Sequence, residues 1–245
     1  MEWRFIPKEE TDPYFAIALE EVLLKEVSRT KTSILRFWEW GGRAVTIGRS
    51  QKASNEVDLK LCRDENIGVI RRPSGGGAMY HSPGDEIVYS IIAPKDHFPM
   101  DITLIYREIC TRLANIFDQI DIDAEFVEPN SVFVGGHKIS GNAQKMTSEA
   151  VLQHGTVLYR PDQKTMFSVL KDSHTGDRYI NSEMNSVMGI SELADISFDG
   201  LYQLLKSGLL EGKEHFTEKI QKEELDSAKE LVDKKYGKEG WNLSP

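Results

Sequence analysis

Three consecutive glycines, Gly75 to Gly77, follow two adjacent arginines and a Pro-Ser pair. Each glycine costs backbone entropy on folding, about 0.5–1 kcal/mol relative to alanine, so an ordinary turn rarely uses three together. Glycines let a ligand lie against the main chain, and successive N–H groups in such a loop can converge on an anion. Arg71 and Arg72 add forked donors suited to phosphate or carboxylate. The segment indicates an anion-binding loop, and the alternative is a plain flexible loop beside two solvated arginines.

This glycine loop lacks the two common nucleotide-binding patterns. It has no Gly-Lys-Ser/Thr ending of a P-loop, and it leads into a predicted strand rather than a helix. Its glycines are contiguous and no parallel βαβ unit surrounds them, so it is not a dinucleotide fingerprint. A phosphate bound there requires another geometry.

A second polar stretch, residues 135–144, is typical of a strand and carries a lysine. Strict alternation puts Lys138 on the same face as Ser140 and Asn142, with the residues between them on the other face. Among small polar neighbours, this ammonium can reach a bound anion as a mobile point charge. The alternative, a solvated surface lysine, stays open on these residues alone.

Two histidines and both cysteines complete the set of reactive side chains. His81 and His154 are candidates for polar ligand contacts, although a structural role is the default for each. The histidines show no i, i+4 metal spacing, so the sequence predicts no metal cage and leaves the metal ligands undetermined. Cys62 and Cys110 fall on the apolar sides of predicted helices and belong to no CxxC pair, which favours buried, unreactive thiols.

Composition limits the classes of function. Across 245 residues, 30 Lys and Arg stand against 39 Asp and Glu, a formal net charge of −9, and no long basic block is present. This surplus disfavours a nucleic acid partner. The most apolar stretch, residues 87–93, is far shorter than the ~18 residues that span a bilayer, and the N-terminus has no secretory pattern. We therefore expect a cytoplasmic protein without a membrane partner.

Periodicity indicates the elements that must position these residues. Apolar spacing predicts helices over 12–29, 56–65 and 103–120, weak signals over 181–197, and a C-terminal helix carrying Leu225 to Tyr236. Two β-rich runs, 34–38 and 44–48, flank Gly41-Gly42 and predict a hairpin. Further strands are predicted over 68–72, 78–81, 86–92, 131–134, 135–144 and 151–159, the last three joined by glycine-bearing turns. The pattern favours one mixed α+β domain over residues 1–245.

Several segments, in this order, resemble the lipoate-protein ligase A family. Residues 71–81 resemble its RRxSGGGAVxH loop, residues 137–144 its RKISGxAQ strand, and residues 153–158 its QHGTxL strand. Residues 233–243 are similar to the last helix and tryptophan signature of its catalytic domain. Any one motif alone would be weak, but together they cover most of the chain.

The resemblance implies a biotin/lipoate-ligase fold, related to the catalytic core of class II aminoacyl-tRNA synthetases. It also implies an ATP-dependent reaction with Mg²⁺, in which lipoate is activated to lipoyl-AMP. A lysine of an acceptor lipoyl domain then takes the lipoyl group. Such domains belong to 2-oxoacid dehydrogenase complexes and to the glycine cleavage H protein. Activation has a chemical reason, because a carboxylate is too poor an electrophile for an amine.

The resemblance also assigns site residues. Lys138 is the catalytic residue, which bridges the lipoyl carboxyl oxygen and the α-phosphate electrostatically. Together with Lys138, the nucleotide is held by Arg72, Gly75, Gly76, Gly77, Ala78, Met79 and Tyr80. Together with Lys138, lipoate is contacted by Arg71, His81, Gly141 and His154.

Some features depart from the family pattern. Related octanoyltransferases carry a nucleophilic cysteine in a Pro-Ser-Cys pattern, where this chain has Pro129, Asn130 and Ser131. A serine without a paired base is a weak nucleophile, which disfavours the alternative function, octanoyl or lipoyl transfer between carrier proteins without ATP. A non-catalytic lipoate-binding module is a second alternative. The chain ends just after the tryptophan signature, so we expect a separate accessory polypeptide in place of the C-terminal accessory domain of many ligases.

Overall fold

The computed structural model describes residues 2–171 and 186–244 of the chain. Its strands are β1 Trp3–Thr11, β2 Ser33–Trp40, β3 Ala44–Ile47, β4 Gly68–Arg71, β5 Met79–His81, β6 Glu86–Pro94, β7 Glu125–Val127, β8 Ser131–Val134, β9 His137–Met146, β10 Ala150–Leu158 and β11 His215–Thr217. Its α-helices are α1 Pro13–Thr30, α2 Ala53–Glu56, α3 Leu59–Asp64, α4 Ile102–Ile116, α5 Gln163–Val169, α6 Ile190–Leu193, α7 Phe198–Leu210, α8 Lys222–Leu231 and α9 Glu239–Asn242.

The larger sheet has the strand order β11-β1-β2-β6-β10-β9-β8-β7 within the described residues. Its central strands β6 and β10 are buried along their whole length. They are buried on both faces because α4 and α7 pack on one side of the sheet and α1 and α8 on the other. The mixed α+β fold class predicted from the sequence is confirmed.

The smaller sheet, in the order β4-β3-β5, shows that the predicted hairpin is wrong. β2 pairs with β1 and β6, whereas β3 pairs with β4 in parallel and with β5 in antiparallel orientation. The glycine loop therefore joins two strands that lie on either side of β3. A Gly-Gly pair indicates a turn, but long-range contacts decide which strands pair.

The other local predictions are confirmed in part. Helices α1 and α4 and the C-terminal helix α8, which continues as a π-helical turn, are confirmed. The predicted helix over 56–65 is two short helices, α2 and α3. The turn between β8 and β9 holds glycines at positive φ, but the turn between β9 and β10 contains none. Of the weak signals over 181–197, residues 181–185 lie outside the described residues.

The sequence prediction missed several elements, two of which, β7 and β11, are the edge strands of the larger sheet in the described residues. The missed elements are β1, β7, β11, α5 and α7. None of the helices in the described ranges combines the length and the apolar character needed to cross a membrane.

Candidate active site

A cavity of about 410 Å³ lies between the larger sheet, the smaller sheet and α5. This volume falls within the ~300–1,000 Å³ range of small-molecule sites. Lys138, Arg72, Thr46 and two histidines supply polar groups to its wall. The rest of the wall is largely apolar and includes Ile17, Trp38, Trp40, Val88, Leu158, Met166, Phe167 and Leu170. The arrangement suits a ligand with an apolar chain and a polar end.

Lys138 enters this cavity because β9 contains a β-bulge. Val132 on β8 pairs with Ser140 and Phe133 pairs with Lys138, so Ile139 is the extra residue. The bulge shifts the alternation of the strand, so the Lys138 side chain lies over Gly141. Strict alternation had predicted that it shares a face with Ser140. A Cβ added at Gly141 would lie 2.9 Å from Cε and 3.0 Å from Nζ of Lys138.

The surroundings of Lys138 destabilise its positive charge. Burial, and then the nearby charge of Arg72, lower the pKa of this ammonium. No carboxylate among residues 2–171 and 186–244 forms an ion pair with it. A ligand that is anionic, or that develops negative charge, can therefore supply the missing partner.

The buried guanidinium of Arg72 shapes the glycine loop. It donates to the carbonyl oxygens of Gly75 at 2.8 Å and Gly77 at 2.6 Å, and to Oγ1 of Thr46 at 3.2 Å. Burial lowers the pKa of Arg72 to about 10, so it stays charged at neutral pH. With the carbonyls turned toward Arg72, no carbonyl in the described part of the chain accepts from the N–H groups of Gly76 and Gly77.

His81 is held between two partners on the cavity wall. Its Nδ1 hydrogen-bonds the carboxylate of Glu86, and its Nε2 lies 2.8 Å from Oγ1 of Thr46. The ring of Trp40 stacks on the imidazole with a centroid distance of 4.3 Å. These contacts fix the position of His81 before any ligand binds.

His154 belongs to a second buried network. Its Nε2 lies 2.7 Å from Oγ of Ser74, and its Nδ1 lies 3.3 Å from the carboxylate of Glu20. Glu20 also accepts from Arg36 at 2.9 Å and from Ser90 at 2.5 Å. Burial alone would raise the pKa of Glu20, but the hydrogen bond from His154 and the charge of Arg36 outweigh burial and lower it. The network anchors the residue before the glycine loop to α1.

The structure brings most of the predicted site residues together and leaves others apart. Those on the cavity wall are Arg72, Gly77, Ala78, Met79, His81, Lys138, Gly141 and His154. Gly75, Gly76 and Tyr80 do not line it, and neither does Arg71. The guanidinium of Arg71 instead donates to main-chain carbonyls of Gly48, Arg49, Gln51, Trp241 and Asn242.

Sequence reasoning missed Thr46 and the apolar wall. Apolar side chains on strands and helices look the same in sequence whether they fill a core or line a cavity, so no signal marked them. Thr46 stands in an ordinary β-rich run, and only the fold places it beside His81.

The structure also shows the state of both cysteines and whether the described residues form a metal site. Cys62 and Cys110 are buried and free, as predicted. Burial raises the pKa of Cys62 to about 11 and that of Cys110 to about 12. For the Mg²⁺ expected from the resemblance, the described residues contain no group of three His, Cys, Asp or Glu arranged to hold a metal ion.

Residues 12–210 match the family model described as the lipoyl protein ligase A/B catalytic domain. The chain belongs to this family. The match confirms the resemblance drawn from the motifs, and it makes the chain an enzyme of protein lipoylation.

Solved structures support the family assignment and the biotin/lipoate-ligase fold. Protein Ta0514 of Thermoplasma acidophilum with bound lipoic acid aligns with a TM-score of 0.87 at 28% identity, covering 99% of both chains. A bi-partite lipoate protein ligase of the same organism, described with its E2 lipoyl domain, aligns with a TM-score of 0.90 at 30% identity and covers 99% of this chain and 96% of that one.

Curated relatives correct the main function expected from the sequence. Octanoyltransferase LipM of Brevibacillus brevis is 30% identical over 99% of both chains. The LipM enzyme of Bacillus subtilis is 27% identical and covers 98% of this chain and 97% of that one. The prediction of an ATP-dependent lipoate ligase is therefore wrong, and the transferase alternative is favoured instead. The loop and strand motifs lie within the catalytic domain that the family model describes for lipoyl protein ligases A and B together, so they indicate the family and not the type of acyl donor.

Proposed function

We propose that this enzyme transfers a medium-chain acyl group of the octanoyl class from a thioester on one carrier protein to a lysine of an acceptor lipoyl domain, without ATP. The observation that carries the proposal is the end-to-end similarity to LipM octanoyltransferases. The reaction is acyl transfer, with the donor supplying an already activated acyl group.

The cavity is compatible with this substrate. Its apolar wall suits an alkyl chain, and Lys138 stands among the polar groups of the same wall. Lipoic acid, which the Thermoplasma protein Ta0514 holds, is an eight-carbon acid of comparable shape. We place the acyl chain against the apolar wall and its carbonyl beside Lys138.

The chemistry explains why no nucleotide is required. A thioester carbonyl is electrophilic enough for attack by a neutral amine, and amide formation from it is downhill. The reaction therefore needs neither the ATP nor the Mg²⁺ expected from the resemblance. The remaining requirement is to stabilise the oxyanion that forms during attack. We assign this role to the ammonium of Lys138 together with the N–H group of Gly77, the residue of the three-glycine run that lines the cavity.

Two protein partners follow from the proposed reaction. The donor is a protein that carries the acyl thioester, and the acceptor is a lipoyl domain, a partner class also described with the archaeal bi-partite ligase. A separate accessory polypeptide stays a prediction for this chain.

The first test compares acyl donors. The purified chain is incubated with an apo lipoyl domain and either octanoyl carrier protein without ATP, or free octanoate with ATP and Mg²⁺. Intact-mass spectrometry of the lipoyl domain reports acylation. We expect acylation with the carrier thioester alone. Acylation only with octanoate and ATP would contradict the proposal.

The second test concerns Lys138. Replacing it with Met keeps the unbranched shape and most of the length of the side chain and removes the charge, so transfer should fall by about a hundredfold or more, as when a donor to a developing oxyanion is lost. Lys145→Met is the matched control, since Lys145 lies on the same strand and does not line the cavity. Equal initial rates for the two variants would rule out the assigned role.

A further inference from the structure

A hydroxyl and an imidazole on the cavity wall are linked in series to a buried carboxylate behind them. Oγ1 of Thr46 lies 2.8 Å from Nε2 of His81, and Nδ1 of His81 hydrogen-bonds Oε1 of Glu86. We propose that Thr46 is the nucleophile of this enzyme, activated by His81 and Glu86, and that it carries the acyl group as an ester between donor and acceptor. The inference rests on the proposed acyl transfer and supplies the nucleophile that the cysteines do not provide.

A consistent set of proton positions can be assigned to Thr46, His81 and Glu86. The carboxylate of Glu86 is almost fully buried, with 1% of its surface exposed, and it accepts from Nδ1–H of His81. In a neutral imidazole the other nitrogen, Nε2, is then an acceptor. The hydroxyl of Thr46 donates to it, which is the arrangement of a hydroxyl nucleophile and its general base.

Arg72 adds a second influence on the same oxygen. Its guanidinium donates to Oγ1 of Thr46 at 3.2 Å, so this oxygen accepts from Arg72 while its proton points toward His81. A cation beside the oxygen favours the alkoxide that forms as the proton leaves. An isolated threonine hydroxyl lacks both aids.

The position of the Thr46–His81–Glu86 series suits the reaction. Thr46 and His81 both line the cavity that also contains Lys138. Thr46 lies on β3, the central strand of the smaller sheet, and the ring of Trp40 stacks on His81, so neither group needs to be ordered by substrate.

The two half-reactions balance. In the first, Oγ1 of Thr46 attacks the thioester carbonyl, the C–O bond forms and the C–S bond breaks. The hydroxyl proton passes through Nε2 of His81 to the departing sulfur. In the second, the neutral amine of the acceptor lysine attacks the ester, the C–N bond forms and the C–O bond breaks. An amine proton returns through His81 to Oγ1.

A second series with the same order of groups provides an internal comparison. Ser74, His154 and Glu20 are also linked, but Ser74 is fully buried and does not line the cavity. The carboxylate of this series, Glu20, is already paired with Arg36. Ser74 therefore has no access to an acyl group. Ser131 does not line the cavity either.

The experiment uses an activated ester so that it does not depend on the carrier donor. The full chain is mixed with p-nitrophenyl octanoate, and nitrophenolate release, intact mass and peptide mapping are followed. We expect a burst of about one equivalent and a single octanoyl adduct on Thr46. The adduct should resist neutral hydroxylamine, as an oxygen ester does and a thioester does not.

Variants extend the test to carrier-dependent transfer. Thr46→Val should abolish the adduct and lower transfer at least about a thousandfold, Thr46→Ser should restore both in part, and Ser74→Ala should keep the adduct. An adduct on another residue, or transfer by folded Thr46→Val at the wild-type rate, would overturn the inference and leave the proposed function standing. A Thr46 adduct without any transfer from the carrier would support the nucleophile and count against the proposed function.

Discussion

Two adjacent arginines show how neighbours decide the role of a residue. Arg71 and Arg72 stand side by side in the same motif, and strand alternation sends their side chains in different directions. Arg72 points to the cavity and holds the glycine loop. Arg71 binds carbonyls of α9 and of the turn after β3, and it ties the end of the described chain to the smaller sheet. The same residue type thus reaches the cavity in one position and binds main-chain carbonyls away from it in the next.

The close approach of Lys138 to Gly141 allows the position of the lysine to be tested by a single substitution. In Gly141→Ala the new methyl group would meet Cε and Nζ of Lys138 at 2.9 and 3.0 Å, so the flexible lysine must move. We expect transfer to fall by about tenfold or more while the melting temperature changes little, since only the far end of one side chain shifts. Steady-state transfer assays and thermal unfolding measure the two effects.

Gly240→Ala is the matched control, because a Cβ there meets nothing within 4 Å. Wild-type activity in Gly141→Ala would mean that the position of Lys138 is not critical.

At the scale of elements, α1 connects the site to the rest of the molecule. Its Glu20 faces inward and binds Arg36 of β2 and His154 of β10. The next residue, Glu21, faces the π-helical turn after α8 and accepts from Lys235 and Tyr236, both at 2.6 Å. One helix therefore supports the cavity wall and fastens the C-terminal segment.

The carboxylate of Glu21 predicts an acid-sensitive contact between these elements. Burial alone would raise its pKa, but hydrogen bonds from Lys235 and Tyr236 outweigh burial and lower it from 4.5 to about 2. A lowered folded pKa stabilises the fold fully above the unfolded value and loses this effect as the pH falls toward the folded value.

We expect Glu21→Gln to lower the free energy of unfolding at pH 7 and to flatten its decline between pH 5 and 2. Urea unfolding at several pH values measures both. Glu26→Gln is the control, because the carboxylate of Glu26 pairs with the exposed Arg29 on the same helix, and such surface pairs add little to stability. Parallel pH profiles for wild type and Glu21→Gln would refute the assignment.

At the scale of the whole molecule, the cavity exists because two sheets face each other. The larger sheet provides Lys138 and His154, and the smaller sheet provides Thr46 and His81. Neither sheet encloses a ligand by itself. Both cysteines lie in the packed interior, Cys62 with the smaller sheet and Cys110 with the larger one.

This placement predicts how the intact protein responds to thiol reagents. Burial raises the pKa of both thiols, to about 11 for Cys62 and about 12 for Cys110, so little thiolate forms at neutral pH. We expect iodoacetamide to leave both cysteines unmodified and acyl transfer unchanged until the protein unfolds. Peptide mapping and activity after labelling in buffer and in urea measure this. Native labelling that inactivates transfer would indicate a cysteine mechanism instead.

The motifs predicted which chemistry to look for, because glycine runs and charged residues within strands are costly unless a ligand or a special backbone path requires them. The family, the α+β class and the entry of Lys138 and Arg72 into one site were therefore accessible from the sequence. Three features were not: the bulge at Ile139, the pairing of β3 between β4 and β5, and the contact of Thr46 with His81. Each depends on contacts between segments far apart in the chain, and local spacing carries no record of such contacts. Only the tertiary structure could decide them.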